Sequence, residues 1–274
     1  MAARYPPQGG LTDLGSSTSR KTRFPSQGSA PSVPSGPLMD DLEAWWELDG
    51  TDLENKANPG VHDLTDMNTV GSRTGVGGVG SAADFTAANE ESYLFDRVAF
   101  ADQTDWTIAY WTYHDISGVS GVDGADFSDD QTGGHYSYIM WDGASHSGGW
   151  PPAGPMMYNC DQRRSFRFDG IMGGAAWQHI AWRNVDSEYY NLQLFVNGAG
   201  PVVQSGGYGS IFANNSTPPG VSCFGLRNLG RNQAQAHWLD GGMQWFGMWS
   251  RKLEDAEIAE LYNSGAGLGW PFGY

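Results

Sequence analysis

The stretch Trp106-Thr-Ile-Ala-Tyr-Trp111 places large apolar side chains at every second position, with Trp106, Ile108 and Tyr110 in one series. Successive side chains of a strand point to opposite faces, so this alternation predicts a strand with one aromatic face in a core. Outward from it, similar patterns predict further strands over residues 42–46, 177–182, 192–196 and 243–249.

Turn and helix signals divide these strands. Asp49-Gly50 follows the first strand pattern and predicts a turn, and Asn197-Gly198 follows a later one and is typical of a tight hairpin turn. Ile258, Leu261 and Tyr262 have helical spacing, and Gly265 is expected to end that helix. Many short strands with one C-terminal helix predict an all-β fold, an antiparallel β-sandwich of the jelly-roll type.

Composition narrows the class of protein. With 12 Trp, 12 Tyr and 12 Phe, the chain can build a core from aromatic side chains. A formal net charge of −16 argues against nucleic acid as a partner, because phosphates must be neutralised by cations. The longest apolar stretches are too short for a membrane span, and residues 1–7 lack the apolar region of a secretion signal.

The N-terminal segment differs from the rest. Residues 1–37 hold four basic residues and one Asp, whereas the remainder holds 11 basic and 30 acidic residues. We therefore divide the chain into an extended polar arm, residues 1–38, and a jelly-roll domain, residues 39–274. The arm is either a disordered tail or a segment that orders on a partner. In the second case its docking residues are the apolar anchors and the basic cluster, namely Tyr5, Leu11, Leu14, Phe24, Arg20, Lys21 and Arg23.

Several stretches, in order, resemble the concanavalin A-like, laminin-G-type jelly roll. They are the strand Leu42-Glu-Ala-Trp-Trp-Glu-Leu-Asp-Gly50, the glycine-rich entry Gly77–Phe85, the core-Trp strand Asp105–Trp111, the paired strands Trp177–Ala181 and Leu194–Gly198, and the closing segment Ser250–Asn263. The resemblance covers about residues 40–267. It implies a sandwich of a kind used to bind glycans or proteins, so the fold does not by itself settle the function.

Two positions depart from the family pattern. Gln244-Trp245 stands where the last strand often carries an acidic pair, which removes candidate ligands of a family-type calcium site. Glu254 stands where the helix often begins with a Ser or Thr cap, although Asp255 and Glu257 suit a helix N-terminus.

A loop rich in aromatic residues is the predicted glycan contact. Aromatic faces stack on the C–H faces of sugars, and polar side chains beside them can bind hydroxyls. The candidates are Trp141, Trp150, Tyr136, Asp142 and His146. The alternative is that the tyrosines simply form one strand face.

The sequence patterns that could indicate a metal site or a disulfide are weaker. A glycine-rich loop carries Asp115 and then Asp123, Asp126, Asp129 and Asp130, and such a loop either binds calcium or is only solvated. We expect no resident cofactor or metal. Cys160 and Cys223 lack zinc-ligand spacing, and the sequence leaves open whether they pair.

Catalysis is not expected. Glu43 and Glu47 flank Ala-Trp-Trp and are the nearest approach to the paired carboxylates of a glycoside hydrolase, but their spacing does not match the related glucanases. His179 lies within a strand pattern, where a satisfied core histidine is the expected role.

These observations favour a structural virion protein, of the capsid-decorating or fibre type. A phage particle is assembled in the cytoplasm and released by lysis, which accommodates a lectin-like domain without an export signal. The arm would dock on a capsid or tail protein, and the sandwich, as a homo-oligomer, would display a glycan-binding surface. The alternative is a free lectin or adhesin, and a glycoside hydrolase ranks below both.

Overall fold

The computed structural model of the chain describes the residues of one domain. These are residues 37–99, 105–115, 124–128, 137–141, 155–159, 164–167, 175–184, 193–202, 206–207, 225–231 and 238–272.

Short strands account for most of the described residues. In chain order the elements are β1 (Leu42–Trp46), β2 (Thr65–Met67), β3 (Gly71–Thr74), β4 (Ser81–Phe85), β5 (Ser92–Ala99), β6 (Trp106–His114), β7 (Gly124–Ser128), β8 (Ser137–Trp141), β9 (Pro155–Asn159), β10 (Arg164–Arg167), β11 (Gln178–Asn184), β12 (Gln193–Val196), β13 (Ala199–Val202), β14 (Gly206–Gly207), β15 (Gly225–Leu229), β16 (Gly241–Trp249) and α1 (Asp255–Tyr262).

The strands form two antiparallel sheets. The first sheet has the order β13-β12-β11-β6-β16-β4-β3, and β1 pairs with β16 beside β4. The second sheet has the order β14-β10-β9-β8-β7-β15-β5-β2. The predicted fold, an all-β antiparallel sandwich with one short C-terminal helix, is confirmed.

The inner core lies between the two sheets and is largely aromatic. Trp46 packs on Phe95 with ring centroids 4.8 Å apart, and Tyr110 stacks on Phe246 at 5.1 Å. The first contact joins β1 of the first sheet to β5 of the second. The second contact joins β6 and β16, which are neighbours in the first sheet. The predicted series holds, because the core includes Trp106, Ile108 and Tyr110.

A second core covers part of the outer face of the first sheet. Trp45 packs edge-on against Phe272 at 4.6 Å, and the Trp249 indole N–H donates to the Leu38 carbonyl at 2.8 Å. Leu38 is fully buried in this outer core. The turn Pro37–Met39 therefore packs with the sandwich, and the predicted boundary after residue 38 falls inside it.

Helix α1 closes this outer core with Ile258 and Leu261. Its first turn is acidic, and the Glu254 N–H donates to Glu257 Oε2 at 2.7 Å, so the absent Ser or Thr cap has a substitute. The helix ends at Tyr262 because Asn263 adopts a left-handed conformation, two residues before the predicted stop. Among the described residues, no helix is long and apolar enough to cross a membrane.

A buried carboxylate links the sheets. Asp126 on β7 is fully buried, and it accepts hydrogen bonds from the Tyr110 hydroxyl at 2.7 Å and the Thr112 hydroxyl at 3.3 Å. His114 Nε2 lies 3.0 Å from Asp126 Oδ1. Burial, together with the Asp126 charge, holds the pKa of Tyr110 well above its ordinary value, so the phenol remains a donor. Asp126 lies on β7 and packs between the sheets, so the prediction that it belongs to a solvated loop is wrong.

Replacing Asp126 with Ala should destabilise the fold by about 3 kcal/mol, because it leaves the buried Tyr110 hydroxyl without its acceptor. Urea unfolding monitored by Trp fluorescence measures this change. The control is Glu54→Ala, which removes the half-exposed partner of Lys56 and should cost about 1 kcal/mol or less. Equal losses in the two variants would contradict the role given to Asp126.

Candidate functional site

The outer face of the first sheet is covered only in part. Trp111 stacks on Tyr262 of α1, with ring centroids 5.7 Å apart and 22° between planes, and is 3% exposed. Beyond the helix, Gly267 lies so close to the Trp245 ring that an added Cβ would overlap it. The helix and the turns after it thus cover the row of the sheet that contains Trp111.

The next row is partly exposed. Gly242 on β16 pairs with Tyr113 on one side and with Asp84 on the other. Trp177 directly precedes β11, whose first residue pairs with Thr112. The register therefore brings Trp177, Tyr113 and Asp84 into one row, which Arg73 of β3 joins through its long side chain. We call these residues, with Gly242, the Trp177 platform.

Contacts between side chains fix the platform. The Arg73 guanidinium lies 4.0 Å from the centroid of the Tyr113 ring, a cation–π contact. Tyr113 packs against Trp177 at 5.7 Å in an edge-on arrangement. Arg73 Nη1 also pairs with Asp84 Oδ1 at 3.1 Å, and these side chains are 22% and 40% exposed. Both rings remain partly exposed.

Gly242 forms the floor because it has no side chain. A Cβ there would lie 2.5 Å from Arg73 Cδ and 2.8 Å from Trp177 Cη2. Arg73 and Trp177 therefore converge over a bare strand, and any larger residue would push them apart.

The electrostatic environment of the platform is acidic. Burial raises the pKa of Asp84, and the nearby carboxylates of Glu91, Asp240 and Asp115 raise it further, whereas Arg73 lowers it. Within the described residues, Arg73 is the one cation that acts on this carboxylate. The platform thus combines two aromatic rings with one ion pair and surrounding negative charge.

Sequence reasoning did not identify Arg73, Tyr113 or Trp177 as site residues. The sequence feature that could have indicated the site is the alternation in β6. It places Trp111 and Tyr113 on the face of the sheet opposite to the core residues Trp106, Ile108 and Tyr110. No sequence pattern connects Arg73 to Tyr113, because β16 and β4 separate their strands in the sheet and the Arg73 side chain reaches the ring across them.

The predicted glycan loop is not brought to this platform by any described contact. Trp141 is the last residue of β8, so its backbone is in a strand rather than a loop. The Trp141 side chain and the other four candidates lie outside the described residues, as do the arm candidates and both cysteines.

The calcium hypothesis concerns residues that are mostly outside the described part of the chain. Asp115 is exposed, and its N–H donates to the Asp240 carbonyl at 2.9 Å. Where the structure describes the chain, no group of three or more His, Cys, Asp or Glu side chains is arranged to hold a metal ion.

Glu47 has a structural environment rather than a catalytic one. Its Oε1 accepts the Trp45 indole N–H at 3.0 Å and the Trp270 backbone N–H at 2.6 Å, and its Oε2 accepts the Trp245 indole N–H at 2.7 Å. Three N–H donors from distant segments hold these two oxygens, which gives Glu47 a structural role at this junction.

No nucleophile triad is assembled around His114. Thr112 Oγ1 and Asp126 Oδ1 both lie beside the same ring nitrogen, Nε2, at 3.1 and 3.0 Å. A hydroxyl–histidine–carboxylate relay requires the two partners on different nitrogens. This cluster is therefore a buried network.

His179 is buried beside the covered aromatic row, as predicted. Its ring lies 5.4 Å from Trp111 and 6.1 Å from Tyr262. The sequence predicted a core histidine whose polar atoms are hydrogen-bonded. This is wrong for Nδ1, which is buried without a hydrogen-bond partner. Burial lowers the pKa of His179 to about 3, so the ring is neutral in the folded state.

Comparison with known proteins supports the fold. No family model matches the sequence, and no curated protein matches it. The chain is similar to domain 4 of AbnA, an extracellular GH43 arabinanase from Geobacillus stearothermophilus in complex with arabinotriose. The TM-score is 0.57 at 14% identity, covering 80% of this chain and 97% of that domain.

The chain is also similar to two toxin structures. One is the binding domain of botulinum neurotoxin DC in complex with SialylT, at a TM-score of 0.50 and 11% identity, covering 83% of this chain and 52% of that one. A botulinum neurotoxin type C structure, described as dependent on two ganglioside molecules for cell entry, matches with the same values. The chain spans about half of these proteins. At such identities the likeness establishes the β-sandwich fold.

The buried His179 predicts a loss of stability in acid. The unfolded chain binds a proton at a pKa of about 6.5, whereas the folded pKa is about 3. Stability is thus complete above pH 6.5 and falls as the pH decreases toward 3, by about 2 kcal/mol between pH 7 and pH 5.

Urea unfolding of wild type and His179→Gln at both pH values measures this effect. The carboxylates titrate in both proteins, so the difference isolates His179. An equal loss in the variant would show that the histidine does not contribute.

Proposed function

We propose that this domain binds carbohydrate at the Trp177 platform. The observation that carries the proposal is the partly exposed row in which Trp177 and Tyr113 lie beside the Arg73–Asp84 pair. Aromatic rings stack on the C–H faces of sugars, while guanidinium and carboxylate groups bind hydroxyls. A partly exposed row of this composition suits a sugar better than a second protein core.

The compared structures support the same class of ligand. The arabinanase domain was solved with arabinotriose, and the toxin domains with or in relation to SialylT and gangliosides. A domain of this fold therefore occurs in complex with a sugar in a protein that shares 14% sequence identity with this chain.

Binding without hydrolysis is the activity we propose. Glycoside hydrolysis by the usual mechanisms needs two carboxyl groups across the scissile bond. The platform itself carries one, Asp84, which is paired with Arg73. Glu47, the sequence candidate, is held by three N–H donors.

Replacing Trp177 with Ala should lower glycan affinity by about tenfold or more, because it removes one stacking ring. Screening on a glycan array that includes arabino-oligosaccharides and galactosides, followed by calorimetry on the best ligand, measures this. Trp238→Ala is the matched control. Like Trp177, Trp238 is half-buried, but its partner is Arg231, two residues after β15.

Trp141→Ala and Trp150→Ala test the predicted aromatic loop in the same assay. Loss of binding in those variants with none in Trp177→Ala would move the site from the platform to the loop. Absence of binding to every glycan would refute the proposed function.

We also propose, from the sequence, that the chain is a virion component docked through its N-terminal arm. The support is the basic, Ser- and Pro-rich composition of residues 1–38 against an acidic domain, which favours docking on an acidic capsid or tail surface. The alternative is a free lectin or adhesin. It shares the sugar site and has no assembly partner.

Deleting residues 1–36 should abolish association with particles and leave the thermal melting of the domain unchanged. The deletion stops before Leu38 because that side chain is buried. Cross-linking at Lys21 on native material is the companion measurement. Particle association by the deleted form would contradict docking through the arm.

A further inference from the structure

Charge around the platform restricts the kind of sugar that fits. The Arg73 guanidinium is the cation that could receive an acidic sugar, and it is engaged by the Tyr113 ring and by Asp84 Oδ1. The carboxylates of Glu91, Asp240 and Asp115 all act on Asp84. A second anion brought to this place would meet negative charge on several sides.

We propose that the Trp177 platform selects neutral sugars, and that Asp84 is the specificity-determining residue because it occupies Arg73. This inference rests on the proposed carbohydrate-binding function and deepens it.

The preference follows from the contacts that each kind of sugar would break and form on binding. A carboxylated or sulfated sugar needs the arginine fork, and binding it would break the Arg73–Asp84 pair and leave Asp84 beside another anion. A neutral sugar needs no cation. Its C–H face can stack on Trp177, and its hydroxyls can donate to Asp84, whose ion pair with Arg73 is made through Oδ1.

The position of the pair explains why one residue can control the choice. Asp84 lies on β4 and pairs with Gly242, which forms the floor of the platform. Arg73 crosses this floor to reach Tyr113, and Asp84 holds it from the opposite side. Loss of the carboxylate would free the guanidinium without removing either aromatic ring.

The test compares matched pairs of glycans, each a neutral oligosaccharide and the same oligosaccharide bearing a terminal carboxylated or sulfated sugar. Wild type should bind the neutral member about tenfold tighter, and Asp84→Asn should abolish or reverse this ratio. Asp255→Asn is the control, because it alters the carboxylate of another Arg–Asp pair, with Arg183, and changes the net charge equally.

The outcomes separate this inference from the function on which it rests. Equal or tighter binding of the acidic member by wild type would overturn it, as would an unchanged ratio in a folded Asp84→Asn protein or an equal change in Asp255→Asn. Absence of binding to both members would overturn the proposed function as well. Should Asp84→Asn fail to fold, Arg73→Gln replaces it: this variant should keep the preference for the neutral member, and a shift toward the acidic one would overturn the inference.

Discussion

The carboxylate of Glu47 is the contact on which the first sheet depends. It accepts N–H groups from β1, from β16 and from the C-terminal segment, through Trp45, Trp245 and Trp270. These three segments are distant in the sequence and meet at one acceptor. Because charged acceptors form stronger hydrogen bonds than neutral ones, one side chain can fix the junction.

The junction holds a bulge in the central strand β16. Trp245 has a positive φ of 51°, and the register with β6 shifts by one residue between Gln244 and Gly247. Met243 and Phe246 both face the inner core as a result, although an unbroken strand would point them to opposite sides. The same strand therefore presents Gly242 to the platform at one end and Trp249 to the outer core at the other.

Local patterns in the sequence were enough to predict β1, β6, β11, β12 and β16, the Asn197-Gly198 hairpin and α1, because each depends on neighbours in the chain. The bulge was not predictable, since Trp is an unusual residue at positive φ and Glu47 stabilises it from a distance. Asp126 was misassigned for a similar reason. Its acidic, glycine-rich surroundings resemble a loop, and the hydroxyl donors that permit its burial lie on another strand.

The Trp177 platform could not be predicted from the sequence for the same reason, because it depends on contacts between distant residues. An aromatic loop is visible in a sequence, whereas a row across four strands becomes visible only when the sheet order is known. Trp177, Tyr113 and Asp84 come from three strands or their ends, and Gly242 contributes by the absence of a side chain. With a formal net charge of −16 the chain repels anions at long range, and the paired Arg73 offers little to reverse this at short range. Affinity at such a surface has to come from stacking and hydroxyl contacts, which are the interactions that a neutral sugar supplies.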